Sequence, residues 1–196
     1  MGRQPLPAGT HLRRLRQAYA DYIGHPDPLM EAGNLIAFLV ATNQPFYPIY
    51  LAMIVGTGAW RALPLLASVP VLLAVPLLAR RSTMGARLLL VVVGIANTFG
   101  AIALIGTRSG LAALFIPCAA IAAVLFRAGE RVAMLAMVAL AMAAWLVADG
   151  LGSDVFSAAQ YASMRRLNAM SAIGLCGFIG IVLSGALRRI ERHAER

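Results

Sequence analysis

Lysine is missing from the 196 residues, so all 17 basic side chains are arginine and no residue can hold retinal or a similar aldehyde as a Schiff base. Carboxylates are scarce too, eight in all, and none falls in the middle of a long apolar run. A proton relay or a metal-dependent phosphotransferase inside the apolar part of the chain therefore has no acid with which to work. His11, His25 and His193 lie outside the apolar runs, which excludes bis-histidine haem and a serine–histidine protease within them. The two cysteines, Cys118 and Cys176, form no CxxC pair and no metal-ligand spacing, so neither a disulfide framework nor a zinc site is expected. They read as small buried hydrophobes. Neither a metal nor another cofactor is expected, and the chain reads as non-enzymatic.

What is abundant is apolar sequence, at 60% of residues with a mean hydropathy of +0.77. That composition lies far outside the soluble range. A helix needs about 20 apolar residues to cross a hydrocarbon core about 30 Å thick. Six segments meet this length, at about 33–56, 60–79, 85–106, 109–127, 130–149 and 166–187. The expected fold is all-α: an integral membrane six-helix bundle with an N-terminal amphipathic interfacial helix. It divides into a basic arm (1–32), the six-span domain (33–187) and a basic tail (188–196).

The net charge of +9 could suggest nucleic acid, but the arginines sit at the span ends, where membrane topology accounts for them. Assigning loops to alternate sides puts Arg3, Arg13, Arg14, Arg16, Arg80, Arg81, Arg87, Arg127, Arg131, Arg188, Arg189, Arg192 and Arg196 together. Arg61, Arg108, Arg165 and Arg166 fall on the other side. Because positive residues are retained in the cytoplasm, both termini are expected there, in a bacterial inner membrane. The longest outer connection, Leu151 to Met164 next to Asp149, carries Phe156 and Tyr161. It reads either as an interfacial helix or as a solvated connector. Near the N-terminus, Leu12, Leu15, Tyr19, Tyr22 and Ile23 share a helical face opposite several arginines, the pattern of a helix lying on anionic lipid.

Unpaired polar groups are costly in hydrocarbon, so Asn43, Gln44, Asn97, Thr98 and Asn168 are the informative positions within the spans. The run Asn43-Gln44-Pro45-Phe46-Tyr47-Pro48 sets two amides beside two prolines, where a break in the helix is expected. Asn43, Gln44, Tyr47, Tyr50, Asn97 and Thr98 are the candidate ligand residues. The competing reading is interhelical glue, with Asn43 bonded to Asn97. Pro64, Pro70 and Pro76 predict a bent second span, and Pro117 a central break in the fourth. Glu130, between Arg127 and Arg131, is expected to tighten a turn, and Gly106-Thr107-Arg108-Ser109-Gly110 to form an outer one. Ala172, Cys176, Gly180 and Ser184 recur every four residues and form a candidate helix-packing or dimer seam.

Asn97, Gly100, Gly106, Ser109-Gly110, Phe115, Pro117, Leu125-Phe126-Arg127 and Glu130-Arg131 together resemble the six-span input modules of bacterial signalling proteins. Those modules precede cyclase, diguanylate cyclase or histidine-kinase domains, and the expectation here is of such a module without an output domain of its own. The resemblance implies a sensor or interaction subunit that signals through a partner, and the buried amides, prolines and small-residue seam together lead to the expectation of a small apolar or lipid-like ligand. A small transporter or facilitator, or an accessory subunit of a larger membrane complex, are the alternatives. Inverted repeats that would favour transport are not evident between 33–106 and 109–187. The expected partners are membrane lipids and either a second copy or a membrane or cytoplasmic protein.

Overall fold

The computed structural model describes residues 8–148, 150–152 and 154–195; Arg3, Asp149 and Arg196 of the charge count lie outside the described residues. Among the described residues there are helices and turns and no strand. A first helix, α1 (Ala8–Ile23), precedes α2 (Pro28–Asn43) and α3 (Phe46–Val55). A 3-10 segment (Gly56–Ala67) leads into α4 (Ser68–Ala79), followed by α5 (Thr83–Ile105). Short 3-10 turns at Thr107–Ser109 and Leu111–Leu114 precede α6 (Phe115–Leu125). Then come α7 (Arg131–Ala148) and α8 (Ala158–Ala194). Among the described residues four stretches are long and apolar enough to cross a membrane: Pro28–Ala79, Thr83–Ile105, Ala128–Ala148 and Ala158–Arg192. The first of these, 52 residues long, is folded on itself, and Leu111–Leu125 is a shorter apolar helix, so six helical rods result.

Local chemistry sets the boundaries. Asp27 caps α2, accepting from the Leu29 N–H at 3.1 Å, and Pro28 occupies the first turn, where its missing donor costs nothing. The helix thus begins five residues before the expected Gly33. The break at the amide-proline run occurs as expected, α2 ending at Asn43 and α3 starting at Phe46. The chain turns back at Gly56, whose φ of 62° suits a residue without a Cβ, and α4 packs along α2. Pro64 lies in the tightened 3-10 stretch and Pro76 within α4. Pro117 does not break a helix, because it stands in the first turn of α6 and the irregular backbone lies before it.

The last connection also differs from expectation. Ser157 and Gln160 form a reciprocal capping box that starts α8 at Ala158, eight residues before the expected 166. Tyr161 consequently belongs to α8 and is fully buried, its hydroxyl donating to the Ile105 carbonyl and accepting from the Val155 N–H, each at 2.9 Å. Phe156 packs edge-on against it at 5.8 Å. Tyr161 therefore joins the bundle core instead of lying along an interface.

α1 docks by its C-terminal end, where Tyr19 and Tyr22 meet Phe38 edge-on and Tyr22 donates to the Leu73 carbonyl. Burial pushes the Tyr22 phenol pKa up, against the opposing pull of Arg80. Leu12 and Leu15, farther along, are 72% and 68% exposed, so this part of the apolar face is uncovered by protein.

Candidate functional site

Between α2, α5, α6 and α8 the core leaves a cavity of about 400 Å³, within the range of small-molecule sites. The broken first rod creates part of it. Where α2 stops at Asn43 and α3 resumes at Phe46, the side chains of Asn43, Gln44 and Tyr47 turn toward Asn97 and Thr98 of α5. Five of the six candidate ligand residues thus line one space. Tyr50 does not: it is exposed on α3 and stacked on Phe46, with ring centres 6.5 Å apart. Asn168, Ser171 and Gly174 bring α8 into the wall, and Cys118 brings α6.

The polar groups of the wall are satisfied unevenly. Gln44 donates to the Ser68 hydroxyl at 3.2 Å, and Thr98 returns its hydroxyl to the Gly94 carbonyl at 2.9 Å. Asn168 donates its amide to the Ser109 carbonyl at 2.9 Å. The Tyr47 hydroxyl lies beside the Asn168 amide, yet neither it nor Asn168 Oδ1 closes a hydrogen bond of good geometry. Asn43 and Asn97 have no hydrogen bond to any described residue through their side chains, and none joins them to each other. The interhelical-glue reading is therefore met at Gln44 and Asn168 and not by an Asn43–Asn97 pair. Among the described residues no charged side chain lines the cavity.

A second constellation escaped the sequence reading. Arg87, in the first turns of α5, is fully buried and contacts Asp27 at 2.5 Å and Glu130 at 2.6 Å. Arg127 reaches the same Asp27 oxygen at 2.9 Å, so two cations and two carboxylates form one network. Glu130 does tighten the turn as expected, accepting from the Arg127 N–H at 2.8 Å, but its larger partner is Arg87. The available signal was Asp-Pro at a helix start together with an arginine inside the first turns of an apolar run. At the same end Arg189 of α8 meets Glu31 of α2 at 2.7 Å. Arg108 and Asp154 pair at 3.6 Å at the other end, where Asn168 and Tyr161 hold the Gly106–Gly110 turn. Gly106 and Gly110 have φ of 111° and 77°, and a Cβ on Gly106 would lie 2.6 Å from the Tyr161 hydroxyl. The turn expected from the sequence is thus clamped by α8.

The small-residue series on α8 rotates out of the bundle. Ala172 is buried, Cys176 half-buried, and Gly180 and Ser184 exposed, with nothing near the position of a Gly180 Cβ. Among the described residues no group of histidine, cysteine and acidic side chains could hold a metal ion.

A family model, MASE7, matches residues 30–196. No curated protein and no solved structure matches the chain. MASE domains are membrane-associated sensor modules of cyclases and kinases, input units in place of catalytic ones, in agreement with the resemblance carried by Asn97 to Arg131. With 167 residues matched and an all-helical apolar architecture, this chain belongs to the MASE7 family of membrane-associated sensor domains.

Proposed function

We propose that the chain is a non-enzymatic, multi-pass inner-membrane sensor that reads a small ligand in the central cavity and reports its presence through α8. The observation that carries this reading is the position of α8, which walls the cavity through Asn168, Ser171 and Gly174. The same helix meets Glu31 through Arg189 at its other end. Its 37 residues span about 55 Å at 1.5 Å per residue, well beyond a hydrocarbon core about 30 Å thick. A rigid rod with one end at a ligand and the other beyond the bilayer can carry a change of tilt or register to a partner protein. Such a response requires only that the ligand bind one arrangement of the bundle more tightly than the other.

The arginine distribution supports cytoplasmic placement of the end that holds Arg80, Arg87, Arg127 and Arg189. On this orientation the exposed Leu12 and Leu15 of α1 meet the inner lipid interface. The uncovered Gly180 and Ser184 of α8 offer a close approach to a second copy or another helix.

Partial filling of the cavity tests the reading. Gly94 lines it, and a Cβ there would meet only Cys118 Sγ, at 3.2 Å. In a Cys118→Ala background, Gly94→Leu should change amide hydrogen exchange over residues 184–195 of α8. Unchanged exchange there, despite a folded protein, would remove the support for signalling through this helix.

A further inference from the structure

The walls of the cavity specify the chemistry of its occupant, and a neighbouring groove specifies its route. This inference rests on the reading of the cavity as a ligand site and adds the ligand class to it. Asn97, half-buried, presents a carboxamide with two donors and an acceptor and no side-chain hydrogen bond to a described residue; in the same wall the buried Tyr47 hydroxyl and Asn168 Oδ1 are also unmatched, and Asn43 faces the space from an exposed position. An amide left without partners in an apolar surround is costly, so an occupant able to hydrogen-bond gains what the protein leaves unmade. Among the described residues no arginine, histidine, aspartate or glutamate lines the space. A charged head group would enter without a counter-ion, a penalty that neutral molecules escape. Gln44, Thr98, Asn168 and Ser171 of the wall each donate within the protein, and most of the rest is aliphatic, including Leu72, Leu90, Leu111 and Ile121.

Asn97 also faces a second, shallower groove, which runs between the end of the 3-10 segment (Pro64, Ala67) with the first residue of α4 (Ser68) and α5 (Ala96, Gly100, Leu104). The two spaces share Leu65, Val93 and Asn97, so the groove and the cavity adjoin at these side chains. Pro64, Ala67 and Ala96 are exposed on the apolar flank of the bundle, not at either polar end. Gly100 leaves room in this groove, since a Cβ there would come no nearer than 4.0 Å to Leu65. We infer that the cavity takes an uncharged amphiphile from the bilayer, entering sideways between the 3-10 segment and α5 and bringing its hydrogen-bonding head to Asn97 and its tail among the leucines.

The test uses the full chain released from nanodiscs into native mass spectrometry, with decanamide, decane, decanoate at pH 8 and decyltrimethylammonium as probes. Decanamide should form a one-to-one adduct. Decanoate and decyltrimethylammonium should bind at least about tenfold more weakly, the scale of one unmatched polar interaction. Asn97→Leu should lower decanamide occupancy by about the same factor while leaving decane unchanged, which separates a lost head-group contact from a collapsed cavity. Ala96→Trp, placed in the groove, should slow loading and release of decanamide several-fold at unchanged equilibrium occupancy. Equal binding of the charged probes, or of decanamide to Asn97→Leu, overturns the ligand class. Unaltered loading in Ala96→Trp overturns the route. These results are independent of the exchange experiment on Gly94→Leu: α8 can respond to filling while the probes fail to discriminate, and the reverse pattern would retain the ligand class and remove the signalling role.

Discussion

Arg87 is the side chain on which the most buried charge depends. It is fully buried between Asp27 and Glu130, and its guanidinium serves both carboxylates at once. Arg87→Leu leaves two carboxylates without that partner and should destabilise the protein by about 3–5 kcal/mol, read as thermal unfolding in detergent. Arg87→Lys should recover less than half of the loss, because an ammonium is a point charge without the planar fork that spans the two acids. Full recovery by lysine would show that charge alone suffices there. At the other end, Tyr161→Phe deletes one hydrogen bond donated and one accepted, to Ile105 and from Val155. A loss of about 1–3 kcal/mol is expected in the same assay. The sequence announced Asn43, Gln44, Tyr47, Asn97 and Thr98 because polar side chains stand out against apolar runs. It did not announce the Arg87 network: its partners are 60 and 43 residues away, and an arginine near a span end is also what topology alone would place there.

Helical elements were legible where composition repeats over many residues and less so where a few residues decide a boundary. Six apolar runs predicted six rods, and the structure supplies them. The start of α8 was missed because Ser157 and Gln160 set it through a local capping exchange that an apolar count ignores. Pro117 was misplaced for a related reason: proline breaks a helix in its interior and is welcome in its first turn. The gap between α2 and α3 was correctly expected from Pro45 and Pro48 and has a consequence for binding. Pro45→Ala with Pro48→Ala should let the two helices fuse, withdraw Asn43 and Tyr47 from the cavity wall and lower decanamide occupancy by about tenfold. Retention of full occupancy would mean that the break plays no part in shaping the site. The Glu31 to Arg189 contact is a weaker device, since both side chains are partly exposed and such pairs contribute about 0–1 kcal/mol.

At the scale of the whole molecule the charge asymmetry carries a prediction of topology. In a cysteine-free background, a cysteine at Arg192 should react with an impermeant maleimide only after the membrane is opened, and one at Asp154 should react in intact cells. The proposed orientation rests on an arginine count; in the structure Arg87, Arg127 and Arg189 converge at one end while Arg108 pairs at the other. The function was legible to the level of a sensor module, because the residues from Asn97 to Arg131 carry the family resemblance and the MASE7 match includes them. The cavity as a shape was not legible, since α6 and α8 contribute Cys118, Asn168 and Ser171 from far along the chain. The central claim is that occupancy of this cavity moves α8. It is tested most directly by spin-label distances between Arg81→Cys and Arg192→Cys in nanodiscs, with Cys118 and Cys176 replaced by alanine, before and after addition of decanamide. The account predicts a shifted distance distribution on loading that Asn97→Leu abolishes; an identical distribution in the loaded and empty protein would contradict it.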